Sequence, residues 1–163
     1  MAQIFDLPDR PPAQRAKRID GRLPNSLIRL PHEVTGDVPD EAYISLAVRD
    51  LMRGMATGLP SGEDVAAALG TPALTIEQIG PGWESGTPLW FYVLKEAECL
   101  GDGERLGPVG GRIVAEVIVG LLCSDRSSYL SENPAWQPTL PHEDMFSMAD
   151  LLLPAEAARG QQT

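Results

Sequence analysis

Histidine, cysteine and long apolar runs are scarce in this 163-residue chain, and each scarcity narrows what it does. The only imidazoles are His32 and His142, each directly after a proline in polar surroundings. Both are expected as solvent-facing loop residues, because metal-ligating histidines are held on rigid elements by a second partner. The two cysteines, Cys99 and Cys123, carry no paired motif that would suggest zinc or redox exchange, and are expected as buried thiols. No stretch approaches the ~20 apolar residues needed to cross a bilayer, and MAQIFDLPDRPP at the N-terminus offers no secretory apolar run. As written, the chain is expected in the cytoplasm.

Positive charge is also in deficit. Thirteen Lys and Arg face 23 Asp and Glu, giving a formal charge of -10 and a pI near 4.5. Nucleic acid and anionic membranes would repel such a chain, whereas basic substrates remain open. No strand-period alternation of useful length occurs. No Ser or Cys nucleophile sits in a tight Gly-rich turn, as a hydrolytic triad requires. Gly107-Pro-Val-Gly-Gly is not a phosphate loop, since no lysine follows at the required spacing and no strand precedes it.

What is present is helical periodicity, so the fold expected is mainly α: an irregular helical array centred on an αα-hairpin. The hairpin lies in Thr87–Leu122. Its first arm, Leu89 to Leu100, is apolar around most of its circumference and leaves Lys95, Glu96 and Glu98 as a narrow polar edge. Thr87 is placed to cap it, with Pro88 at the first helical position, and Gly101 and Gly103 stop it. The second arm begins near Pro108 with Ile113, Val117 and Leu121 at four-residue spacing and Val114, Ile118 and Leu122 beside them. Gly107, Gly110 and Gly111 cost about 1 kcal/mol each inside a helix, which suggests a close approach by backbone or by a flat ligand, with helix against helix the plainer reading. Arg112 and Glu116, one turn apart, are placed to pair.

Three regions are expected: a Pro-rich basic arm over 1–40, a helical body over 41–153 and a disordered polar tail over 154–163. The arm follows from Pro8, Pro11, Pro12, Pro24 and Pro31, and from residues 1–31 holding 6 of the 13 basic residues but 3 of the 23 acidic ones. It has room for a short basic helix around Ala13 to Ile19. In the body, a helix capped by Asp40 is expected from Glu41 to Met55, a second capped by Ser61 through Leu69, and a short helix near Thr75 to Gln78. Beyond the hairpin, a turn or short helix is expected over Ser124 to Leu130, a loop packed down by Trp136, and a last short helix capped by Ser147.

The one cluster with chemical promise lies in Leu46 to Gly62, LAVRDLMRGMATGLPSG. Arg49 and Arg53 are four residues apart and Asp50 and Arg53 three apart, so all three meet on one helix face. An arginine steadied by an acid is a ready anion clamp; the plain alternative is a surface ion pair.

That segment, together with Pro88-Leu-Trp-Phe-Tyr, Arg105-Leu-Gly-Pro before an apolar helix, and Asp125-Arg-Ser-Ser-Tyr, resembles the C-terminal part of the animal-type haem peroxidases, bacterial members in particular. The resemblance runs from Phe5-Asp-Leu-Pro to Phe146-Ser-Met-Ala-Asp-Leu-Leu. It implies an oxidoreductase that uses hydrogen peroxide and haem to oxidise a donor. It places Arg53 where the family binds a haem propionate, a pairing suited to the two parallel donors of a guanidinium. It places Asp50 where the family commonly has an asparagine contacting the proximal histidine. A carboxylate there would take the ring N–H more strongly and lower the iron's reduction potential. The family's distal and proximal histidines, catalytic arginine and haem-linking acids lie in segments before the part matched. The chain is therefore expected to be inactive alone, with haem bound weakly or not at all, and to need the missing N-terminal peroxidase segment or a complementary chain as partner. The other expectation is a non-catalytic helical interaction module or pseudoenzyme on the same scaffold. On the first view, the apolar face of Ile113, Val117 and Leu121 is made to be covered by that partner.

Overall fold

Prolines and small polar residues set where the helices begin. In the computed structural model, which describes residues 16–140, 146, 148, 150–152 and 154, two single turns come first. α1 (Asn25–Ile28) and α2 (His32–Thr35) each start directly after an extended proline, Pro24 and Pro31. Residues 16–20 hold no helix, and Ala13 of the expected basic helix lies outside the described residues.

Asp40 accepts a hydrogen bond from the Ala42 amide, as its position suggests, but it caps only a 3-10 turn, Glu41–Ile44. α3 (Leu46–Ala56) then starts afresh from Ser45, so the continuous helix expected over 41–55 is not formed. The cause is where two carbonyls go. Arg49 Nε donates to Tyr43 O at 2.6 Å, and the Leu30 amide donates to Ile44 O at 2.9 Å. Both oxygens are satisfied from outside the helical ladder, which breaks there.

α4 (Gly62–Leu69) follows its sequence signals. Ser61 accepts from the Asp64 amide, Glu63 and Asp64 fill the first turn, and Gly70 closes the helix at φ 67°. α5 (Ile76–Ile79) is one turn, held by reciprocal bonds between Thr75 and Gln78. α6 (Leu89–Gly101) departs from expectation at its start: Pro88 is the N-cap and no side chain caps it. The Thr87 hydroxyl instead donates to Glu63 Oε1 at 2.6 Å and the Thr87 amide to Glu63 Oε2 at 2.9 Å. Asp102 and Gly103 then take left-handed backbone, φ 50° and 70°, and turn the chain into α7 (Pro108–Ser124).

The core forms around α6. Ala66, Leu74, Ile79, Tyr92 and Val109 are buried together, with Val65, Trp83, Phe91 and Val93 packed against them. α4 reaches α6 so closely that a Cβ at Gly62 would stand 1.9 Å from Tyr92 Cγ. The ring's hydroxyl accepts from the Leu74 amide at 3.0 Å, so this large side chain is buried with its polar end satisfied. Leading into the core, the Ile19 amide donates to Gly103 O at 2.8 Å and ties residue 19 to the hairpin turn.

The chain divides into two compact units, Arg18–Val119 and, separately, 1–17 with 120–163. In the second, Ser128 caps α8 (Tyr129–Glu132), its hydroxyl also donating to Leu122 O at 2.6 Å. Trp136 packs edge-on against Tyr129, ring centroids 5.8 Å apart, while remaining half exposed. Residues 148, 150–152 and 154 are helical; Ser147, the expected cap, and 155–163 of the expected tail lie outside the described residues. Among the described residues there is no strand, only an isolated bridge between Ser61 and Pro88. None of their helices is long and apolar enough to cross a membrane.

Candidate functional site

Helix α3 presents Asp50 and Arg53 on neighbouring turns, three residues apart. Arg53 Nη1 stands 3.9 Å from Asp50 Oδ1, an ion-pair distance but not a hydrogen bond. The two differ in setting: the Asp50 side chain is 24% exposed and that of Arg53 77%. Arg49 does not join them: its Nε donates to the Tyr43 carbonyl, and Asp50 is paired with Arg53. The three-residue clamp allowed by spacing is therefore a pair.

Asp50 lines a half-open cleft of about 220 Å³ between the C-terminal part of α3, the 59–61 turn, residues 85–88 and the start of α6. Leu51, Met55, Leu59, Leu89 and Trp90 supply its apolar wall. Ser61, Ser85 and Thr87 add polar rim atoms. Among the described residues the Asp50 carboxylate has Arg53 as its ion-pair partner and accepts no hydrogen bond.

Behind the cleft, Glu63 ties α4 to the α6 entrance. Burial pushes its carboxyl up, but hydrogen bonds from the Thr87 hydroxyl and amide, with smaller ones from its own backbone and Ser61, together hold it below the usual carboxylate range. Burial likewise pushes the Tyr92 phenol up. Along α6, the Lys95 ammonium donates to Glu98 at 2.8 Å and keeps that carboxyl low. Glu96, expected on the same polar edge, is instead 1% exposed. Its carboxylate accepts from the Val109 amide at 3.0 Å and the Gly110 amide at 3.1 Å, the free donors of the first turn of α7. Sequence periodicity missed this because it counts any glutamate as solvent-facing. The signal available was Gly107, which has no side chain where a Cβ would lie 2.3 Å from Glu96 Cγ.

The glycines at the α7 entrance divide accordingly. Gly107 admits Glu96 and Gly110 admits Val93, where a Cβ would lie 3.1 Å from Val93 Cβ, as helix-on-helix packing suggests. Gly111 meets nothing closer than 3.9 Å. Farther along α7 the apolar face is open: Val114, Val117, Ile118, Val119 and Leu121 are all exposed, Leu121 to 67%. Ile113 is half-buried against the core. Arg112 pairs with Glu116 as the spacing predicts. Cys99 and Cys123 are exposed and form no disulfide, which corrects their expected burial; the Cys99 thiol donates to Gln78 O at 3.7 Å. His32 is exposed and 3.2 Å from Asp37, opening α2 instead of lying in a loop, and His142 lies outside the described residues.

For a haem, these residues fit one edge of the group and not its iron. The cleft offers an apolar wall, and Arg53 offers a guanidinium beside it for a carboxylate. No imidazole lines the cleft, since the described one, His32, is engaged with Asp37 elsewhere, and the lining residue of a haem-ligating type is Met55. Among the described residues no cluster of three His, Cys, Asp or Glu side chains is arranged to hold a metal ion. No family model, curated protein or solved structure matches the chain.

Proposed function

We propose that this chain is the C-terminal part of a haem-peroxidase-like oxidoreductase, supplying one wall of the haem site and relying on a complementary polypeptide for the ligating histidines. The observation that carries the reading is the pairing of Asp50 and Arg53 at 3.9 Å beside an apolar cleft. Those are the two positions that the family resemblance assigns to proximal-side and propionate contacts. Arg53, exposed and only loosely held, is free to bind a carboxylate through two parallel hydrogen bonds. Asp50 accepts a ring N–H brought in by the complementary part. The bound haem supplies the reduction of hydrogen peroxide and the oxidation of a donor. The protein residues here orient and neutralise it. The open apolar face of α7 supports the same reading, because five exposed large aliphatic side chains on one helix suit a surface completed by another polypeptide.

Haemin titration of the purified chain tests this, first alone and then with a peroxidase segment that carries the ligating histidines. Alone, the chain gives a weak, non-saturating Soret change and no peroxide-dependent oxidation of a donor dye. With the segment, haem is retained, and Arg53→Ala lowers that retention. A strong histidine-ligated Soret band with turnover from the chain alone overturns the reading, as does haem retention indifferent to Arg53→Ala.

The second reading, a non-catalytic interaction module, rests on the α7 face without the cleft. It is supported if the chain is a stable monomer that ignores haem in every combination yet still captures a partner through α7.

A further inference from the structure

Two features of α7 serve no packing among the described residues. Val114, Val117 and Ile118 are exposed, and Gly111 carries no side chain although a Cβ there would meet nothing closer than 3.9 Å. Gly107 and Gly110 are small because Glu96 and Val93 lie against them. Gly111 has no such neighbour, so within the chain it only weakens the helix. An apolar groove of about 210 Å³ lies on the same half of the helix, between α6 and α7, lined by Leu89, Trp90, Val93, Leu106 and Gly110 among others.

The two halves of α7 mirror each other about Val114. Gly110 stands four residues before it and Ile118 four after; Gly111 stands three before and Val117 three after. At about 100° per residue, all four lie within roughly 60° of the Val114 direction and share one face. Glycines and a groove make up half of that face, and exposed β-branched side chains the other half. Arg112 and Glu116 pair with each other about 160° from Val114, so the face is uncharged and the formal charge of -10 lies elsewhere.

We infer that this face docks a second copy of the same chain, antiparallel, with a two-fold axis at Val114. Val117 and Ile118 of each copy then fill the space over Gly111 and Gly110 of the other. Symmetry selects this occupant. A two-fold contact requires every residue to meet one equally far on the other side of the axis, whereas an unrelated partner places no such condition on spacing within α7. Glycine opposite a β-branched residue lets the helices approach closely and buries apolar surface on both. With a few side chains per copy the contact is of the weak, transient class, so the chain is monomeric when dilute and pairs as its concentration rises. The complementary polypeptide of the peroxidase reading would compete for this face. The test uses neither that polypeptide nor haem, so either inference can fail while the other stands.

Sedimentation velocity of the full-length chain, from low micromolar to millimolar concentration, is expected to give a monomer–dimer curve with no larger species. Val117→Lys and, separately, Gly111→Leu each weaken the dimer about tenfold or more, the effect of losing one buried aliphatic contact. Gly111→Leu fills the partner's seat with a side chain that its own chain has room for, and circular dichroism establishes that it stays as helical as the parent. In a Cys99→Ser, Cys123→Ser background, Val114→Cys on the axis cross-links to a dimer on mild oxidation, whereas Ala115→Cys, turned off the face, does not. Should Gly111→Leu lose helix, Val117→Lys and the two cysteine variants decide alone. A monomer at every concentration, open-ended assembly, a dimer indifferent to the substitutions, or equal cross-linking at 114 and 115 overturns the proposal.

Discussion

The buried carboxylate of Glu96 accepts the backbone amides of both Val109 and Gly110, at 3.0 and 3.1 Å, and so fastens one arm of the hairpin to the first turn of the other. An anion at a helix N-terminus is favoured by the dipole and by the unsatisfied amides there. Truncating it leaves two amides without acceptors and a void beneath Gly107. Glu96→Ala is expected to cost about 2–4 kcal/mol of unfolding free energy. Glu96→Gln, which keeps the volume but loses the charge, is expected to cost about 1–2 kcal/mol. Urea denaturation of the three proteins checks the order. A Glu96→Ala variant as stable as its parent would show that this contact does not hold the hairpin.

Two glycines on or beside α7 should respond oppositely to the same methyl group. At Gly107 a Cβ would stand 2.3 Å from Glu96 Cγ, and at Gly120 it meets nothing within 4 Å. Gly107→Ala is expected to destabilise by about 1–3 kcal/mol through overpacking. Gly120→Ala should stabilise by roughly 0.5–1 kcal/mol through helix propensity. Thermal midpoints moving in opposite directions confirm the contrast.

Glu63 makes part of the stability depend on acid pH. Burial pushes its folded carboxyl up, but the hydrogen bonds it accepts, those of Thr87 foremost, hold it below the usual carboxylate range. A depressed folded value means its contribution is complete above the unfolded value and is lost as pH falls through the folded one. Urea midpoints measured from about pH 6 down to about pH 3 should therefore fall less steeply in Glu63→Gln than in the parent. Thr87→Val, which deletes the donating hydroxyl, should flatten the same limb. An unchanged slope in both variants would mean that another carboxylate governs the acid transition.

Val117 is 56% exposed in the middle of the open α7 face. Val117→Lys should leave the stability of the isolated chain within about 0.5 kcal/mol, as surface substitutions generally do. The same change should abolish association with the complementary polypeptide of the proposed assembly, read by size-exclusion chromatography with light scattering. A large loss of stability in the isolated chain would show that this position is already covered.

Much of the helical framework was legible from local signals. Ser61, Gly70, the Thr75–Gln78 box and Pro108 mark boundaries found in the structure, because capping is chemistry between residues a few positions apart. Where a boundary was missed, a distant partner intervened. Leu30 and Arg49 take the carbonyls that would have joined the Glu41 turn to α3, and Glu63 takes the hydroxyl that would have capped α6. The candidate site was legible only in part. Spacing placed Asp50 beside Arg53, but it did not reveal that Arg49 turns away or that Asp50 lines a cleft built from residues up to 40 positions later.

The sequence by itself determined the helical class, many helix boundaries and the apolar character of α7, since periodicity and capping are local properties of neighbouring residues. Tertiary structure alone decided that Glu96 is an internal cap, that both cysteines are exposed and that Asp50, among the described residues, pairs with Arg53 and not Arg49. Those outcomes depend on which segments meet in space, and a buried carboxylate and a solvated one are the same letter until an amide arrives to bind it.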